Sequence, residues 1–465
     1  MKAEELGPMY AFASRETWPA LARRLSLALG VGLGVVLITR SAAYGGDYAA
    51  DRLVALADFA QHGERERLDI RYLSLHAAPE NIEAGAVLAF WIPHLSPLSV
   101  LQRQIPQRVG ETRYYRIRLS HLGWTLAAWK KLAQEYPYSD LPNPLFLRGD
   151  WLVRITSDTQ ESTAYYDLLY AKTGVPRNRV EFLKRWKVNL KDSKGYEQAV
   201  IIDEGHSRVA RRTRLAVYRR TAAGYYWETF DSRDGAGAND PLARLAGGLK
   251  YDASELIASI PKIDAVTGRR VSAQAYLLVD GAGNRLEEAD PRIVVDHTDP
   301  RLPVIRTPGS CVRCHVDGIN ALPENAVRAS IRQGVEIFSK KAGQAEEIER
   351  LYLGELLKPL KRNQEDFADF VTAVCALPPQ EVVDQYARLL QFYDTPLDLE
   401  QAARETGAES ADELRSAIGL YAERQGFAAA RLAALAHGRP TPRKIWELET
   451  YEQAVLALVL WRSKP

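Results

Sequence analysis

Apolar residues recur along this chain in two regimes, and the texture changes near residue 322. Before that point the pattern is mixed. "DRLVALADFAQ" has helical spacing, and "LAAWKKLAQEY" places Leu126, Trp129, Leu132 and Tyr136 on one helical face. "ETRYYRIRLSHL" alternates, with Tyr115, Ile117 and Leu119 on one side and Arg116, Arg118 and Ser120 on the other, which predicts a strand. "TRLAVYRR" and "GYYWETF" predict further strands, and "AQAYLLVDGAGNRLEEA" predicts a hairpin closed by the turn residues "DGAGN". From Pro323 onward nearly everything has helical period. "EVVDQYARLLQFY" repeats apolar positions at 382, 383, 386, 389 and 390. Ser410 and Glu413 form an S-x-x-E capping box before a long helix. Pro442 sits where it can open a last helix carrying Ile445, Leu448, Tyr451, Val455 and Leu458.

The expected fold class is an α+β N-terminal region followed by a mainly α-helical C-terminal region. At 465 residues the chain is long for a single core, so two or three domains are expected. The boundaries that the pattern suggests are a leader over 1–45, an α+β domain over 46–230 and a loop or linker over 231–248. A hairpin and cysteine-bearing segment follows over 249–322, then a helical domain over 323–465.

The leader has the character of an export signal. Arg23 and Arg24 precede "LSLALGVGLGVVLI", a run of 14 residues, where a spanning helix needs about 20. Ser41 and Ala43 follow with the spacing of a small-residue cleavage site. Glu4, Glu5 and Glu16 are untidy for a signal, so an uncleaved anchor is the rival reading and would be the chain's contact with a membrane. Either way the body is expected in the periplasm or another extracytoplasmic space.

Composition removes some classes. With 61 basic and 59 acidic residues the net charge is +2, which makes no case for nucleic acid as a partner. Three cysteines are too few for a disulfide framework. The two methionines, Met1 and Met9, both precede the apolar run, so the body has none.

The chemistry concentrates in "PGSCVRCHVDG". Cys311, Cys314 and His315 spell C-x-x-C-H, the attachment signature of c-type haem. Two thiols two residues apart can reach both vinyl groups on one porphyrin edge, and the histidine that follows can serve as proximal iron ligand. A zinc site recruiting Cys375 is one alternative, although adjacent Cys314 and His315 point poorly at one tetrahedral metal. A redox-active disulfide is another, but the flanks show no thioredoxin-like βαβ pattern. Cys375, in "FVTAVCAL", has the spacing of a buried inert thiol.

"SCVRCHVDG" resembles the c-type cytochromes. The longer run from "AYLLVDGAGNRLEEADPRIVVDHTDP" through "RLPVIRTPGSCVRCHVDG" is similar to a group of large exported bacterial proteins with one such motif. So are "RYLSLH", "LGWTLAAWKKLAQEYPY" and "RGDWLV", and the order of signal, mixed region, haem motif and helical tail. The resemblance implies one covalent haem, with Cys311 and Cys314 as thioether residues and His315 as proximal ligand. It also implies a cytochrome c-like C-terminal region and presumed electron transfer to an unidentified redox partner protein.

The second axial ligand cannot be a methionine of the body. Among the remaining histidines, His297 in "VVDHTDP" is the candidate distal ligand, against the plainer reading of a loop residue. His437 suits a helix C-terminus beside Gly438, and an open iron stays an option. The arginine-rich stretch "HSRVARRTRLAVYRR" can meet haem propionates or an acidic partner, or form a solvated strand face. No phosphate loop, G-x-S-x-G or H-E-x-x-H is present. The function expected is a monohaem c-type cytochrome in electron transfer. A peroxidase-like haem oxidoreductase and a haem-based ligand sensor are the alternatives.

Overall fold

A computed structural model describes residues 46–464 apart from 103–104, 139–144, 161, 171–175, 189–197, 203–206, 223, 234–249, 298–302, 322–348 and 354–355. The leader over 1–45 and most of the 231–248 loop lie outside the described residues. Helix and sheet are mixed, as expected, and the described elements after 348 are all helical.

The first sheet has the order β3-β4-β1-β5. It comprises β1 (Ile70–Ser74), β3 (Gln107–Arg108), β4 (Tyr114–Arg118) and β5 (Phe146–Arg148). β1 runs antiparallel to β4 and parallel to β5, with Tyr72 opposite both Arg116 and Phe146. α1 (Gly46–Ala60) is tied to it through Asp58, which pairs with Arg116 at 2.7 Å and accepts from the Tyr72 hydroxyl. The predicted strand at "ETRYYRIRLSHL" is β4, which ends where Leu119 begins a helical turn.

The second sheet has seven strands and carries the site. Its order is β11-β10-β9-β8-β7-β6, with β2 (Val100–Leu101) alongside β9. The members are β6 (Gln198–Ile202), β7 (Arg214–Thr221), β8 (Gly224–Phe230), β9 (Ala253–Asp264), β10 (Arg270–Asp280) and β11 (Arg285–Leu286). The predicted hairpin is β10–β11, with Leu278 opposite Leu286. β8 and β9 flank the expected linker yet pair directly, Tyr226 opposite Ala258. The two sides of that linker therefore belong to one sheet. Glycine and aspartate mark a break in the pattern, but not whether the chain re-pairs after it.

Helices cover the sheets. α2 (Ala84–His94), α3 (Leu126–Gln134) and α4 (Gly149–Ser157) bury Trp91, Trp129 and Trp151 completely. α5 (Arg179–Arg185) is capped by Asn178, whose side chain accepts from the Glu181 N–H. The short α6 (Gly309–Cys314) carries both motif cysteines. In the tail, α7 (Leu357–Val374) packs on β10, and α8 (Pro379–Asp394) packs on α2, α4 and α6. α9 (Leu399–Thr406), α10 (Ala411–Gln425) and α11 (Tyr451–Arg462) complete it. One apolar cluster runs from Leu73 to Leu458 and includes residues of both sheets and of the tail, so the expected helical domain shares its core with the rest. Among the described residues, no helix is long and apolar enough to cross a membrane.

Two tail details differ from expectation. Ser410 accepts from the Glu413 N–H at 3.1 Å, but the Glu413 carboxylate turns to Arg462 at 2.8 Å, so only half the capping box forms. The last helix is interrupted by a π-turn over Trp446–Thr450. The extra residue rotates the apolar stripe, burying Trp446 and leaving Leu448 70% exposed.

A buried charge cluster locks the tail to the N-terminal part. Glu405 of α9 has no exposed side-chain surface; its carboxylate pairs with Arg148 of β5 at 2.8 Å and with Arg443, and accepts from the Trp446 indole at 2.8 Å. Arg148 also pairs with Asp150 at 2.6 Å. Burial would raise the Glu405 pKa, but the two guanidinium groups hold it down at about 2.

Candidate functional site

The cysteine segment is fastened by short bridges on both sides. Glu288 pairs with Arg306 and Asp158 with Pro308 in isolated bridges, and the Thr159 hydroxyl donates to the Thr307 carbonyl at 2.7 Å. α6 then starts hard against the end of α4. A β-carbon at Gly309 would lie 2.8 Å from the Ser157 carbonyl oxygen, so a glycine is required there. Within α6 the two residues between the cysteines face elsewhere. Val312 is fully buried in the core, and Arg313 reaches buried Asp296 at 2.8 Å. The cysteines themselves face the sheet.

His315 ends the helix, and the chain turns back at Gly318, whose φ of +84° favours glycine. The turn brings the Gly318 carbonyl to 3.1 Å from Nδ1 of His315. A carbonyl oxygen only accepts, so Nδ1 carries the hydrogen and Nε2 is left for another partner. Nε2 faces the Glu255 carboxylate of β9 at 3.8 Å. The imidazole also stacks on Tyr276 of β10, with ring centroids 6.4 Å apart.

Cys311, Cys314 and His315 line one cavity between α6 and a face of the seven-stranded sheet. Alternate strand residues supply the opposite wall: Ala216 from β7, Trp227 from β8, Glu255 and Ile257 from β9, and Leu278 from β10. Val294 and Ile305 close it, and Arg208 and Arg214 add two cations. The wall is thus mainly apolar, with charge at a few points. The cavity holds about 180 Å³, close to the roughly 150 Å³ that accommodates a benzene ring. A porphyrin is larger, so seating one requires the walls to part.

The electrostatics separate the thiols from the carboxylate. Burial pushes the Cys314 thiol up to about 12, with Asp296 and Glu255 reinforcing it. Burial, then Glu255, raises the Cys311 thiol well above its ordinary value. Both stay protonated at neutral pH, unlike the lowered thiols of a redox disulfide site. Burial would raise Glu255 too, but His315 facing it, with Arg214 and Cys311 behind, brings it down to about 2. Among the described residues, no three His, Cys, Asp or Glu side chains converge to hold a bare metal ion.

No family model, curated protein or solved structure matches this chain.

The other residues singled out by sequence fall elsewhere. His297 is exposed and lines a separate concavity with Arg211, Arg212, Arg233 and Arg292, away from His315. Its neighbour Asp296 is the residue that points inward. From the arginine-rich stretch, Arg208 and Arg214 reach the cavity, while His206 lies outside the described residues. His437 is an exposed helix-end residue beside Gly438, as its setting suggested. Cys375 is buried with its thiol toward the Ala86 carbonyl at 3.7 Å. Sequence reasoning missed Glu255, Tyr276 and Asp296. For Glu255 the available signal was a lone acid among the apolar residues of "ASELIASI".

Proposed function

We propose that this chain is an exported monohaem c-type cytochrome, in which a cytochrome c-like attachment segment is set against an α+β scaffold and serves electron transfer. The observation that carries the reading is the convergence of Cys311, Cys314 and His315 on one mainly apolar cavity, with Nδ1 of the histidine held by Gly318. Cys311 and Cys314 would hold the haem as thioethers, each by addition of its S–H across a vinyl C=C. Sulfur would bond one carbon and the hydrogen would go to the other, so no outside oxidant would be needed. His315 offers Nε2 as the proximal ligand, and the Gly318 carbonyl fixes the ring's tautomer and direction. Arg208 is a cation at the same cavity suited to a propionate, while Arg214 beside it is held by Asp231. The haem, when bound, supplies one-electron chemistry. The apolar walls set its dielectric, and the absence of a methionine ligand in the body keeps its reduction potential below that of a His/Met site. Thioether attachment belongs to the extracytoplasmic side, which agrees with the export character of 1–45. A redox protein partner completes the scheme. The peroxidase-like and sensor alternatives both need an open iron.

The test is attachment. After periplasmic expression, haem should survive acidic organic extraction of the denatured wild type, and the Cys311→Ser/Cys314→Ser double variant should release it. Extractable haem in the wild type, or stoichiometric zinc in its place, overturns the proposal.

A further inference from the structure

Glu255 is the one carboxylate within 4 Å of His315 among the described ion pairs, and it stands on the wall opposite α6. Nε2 and the Glu255 oxygen face each other across 3.8 Å. With Nδ1 committed to donating to Gly318, two acceptors meet there unless a proton or another cation lies between them. Two metal–ligand bonds of about 2 Å each span nearly that gap. The Cys311 thiol lines the same cavity as Glu255, and the carboxylate's charge helps to raise that thiol.

Haem attachment would occupy Nε2 as a metal ligand and turn the Cys311 thiol into a thioether, so neither could offer Glu255 a proton. Arg214 is already engaged by Asp231 at 2.7 Å. The carboxylate, with only 14% of its side chain exposed, would then face an apolar cavity without its former partners. Such a charge needs a compensating cation. We propose that Glu255 is the axial group opposite His315 and ligates the oxidised iron. This inference rests on the haem reading and deepens it. It assigns the distal position to an oxygen donor, whereas the sequence had directed attention to His297.

The experiment compares wild type with Glu255→Gln, both matured with haem. Haem stain on denaturing gels reports attachment independently of ligation. An anionic oxygen ligand favours ferric over ferrous iron. Its loss should therefore shift that preference at least tenfold, raising the one-electron potential by about 59 mV or more. Cyanide should bind ferric Glu255→Gln at least tenfold faster, because no ligand has to leave. A measurement on the wild type alone is also decisive: its ferric spectrum should be that of a high-spin, oxygen-ligated iron. A low-spin bis-imidazole spectrum overturns the inference. So does a variant that keeps covalent haem, the wild-type potential and the wild-type cyanide rate. Absence of covalent haem from the wild type overturns the underlying cytochrome reading, and this inference with it.

Discussion

Replacing Glu405 with glutamine tests whether the tail is bolted to the body by charge. The substitution keeps size and shape while removing the anion between Arg148 and Arg443. Two routes give its cost. The Glu405 pKa falls from 4.5 to about 2 on folding, and at 1.36 kcal/mol per unit that is about 3 kcal/mol. Removing one partner of a buried ion pair costs roughly 3–5 kcal/mol in general. The lower end applies here, because Arg148 keeps Asp150 and Arg443 keeps the Tyr393 ring, 4.6 Å from its guanidinium carbon. With an unfolding entropy of about 1 kcal/mol/K for a chain this long, the melting temperature should fall by about 3 °C. The pH dependence is the sharper signature. A depressed carboxylate stabilises above its unfolded pKa and loses that contribution as pH falls through the folded value. The wild type's advantage should be full at pH 7, reduced by more than half at pH 3, and gone below pH 2. Urea titrations of both proteins at several pH values measure it. A difference below about 1 kcal/mol at pH 7, or one that does not change with pH, refutes the reasoning.

Lys262, 1% exposed, donates to the Ser96 and Leu98 carbonyls, and burial lowers its pKa to about 7. The unfolded chain holds that proton up to about pH 10.5, so folding stability rises with pH between the two values. Wild type should gain about 2 kcal/mol on Lys262→Met between pH 7 and pH 9, measured by urea unfolding, and a constant difference refutes this. Asp296→Ala should cost roughly 2–3 kcal/mol by leaving Arg313 without its buried carboxylate, and a loss under about 1 kcal/mol contradicts that role.

Much of the fold was legible because it depends on local period. β4, β7, β8 and the β10–β11 hairpin all follow alternation or turn residues, and α1, α3 and α8 follow helical spacing. What stayed hidden depends on distant pairing. Nothing local says that β1 takes β5 as a parallel neighbour, or that β8 meets β9 across 234–249. β9 was obscured by Pro261, which argues against a central strand. The fold tolerates it because β8 pairs with β9 only through Ala258, short of the proline. With β9 unseen, Glu255 had no face to be placed on. His297 failed as a neighbour of His315 for the opposite reason. It is close in sequence, but Asp296 took the inward position and turned the histidine to solvent. The three motif residues needed no such help, since they lie within five positions of one another.

The packing of α8 behind α6 has a consequence in time. A chain delivered from its N-terminus presents Cys311 and Cys314 before Pro379–Asp394, the helix that closes over their back, has emerged. A finished cavity of about 180 Å³ is a poor entrance for a macrocycle, whereas the same cysteines on an unclosed chain are within reach. For the proposed haem, loading before α8 docks would find α6 not yet braced from behind and freer to stand away from the sheet. Docking of α8 then fixes α6, and with it both cysteines, against the body.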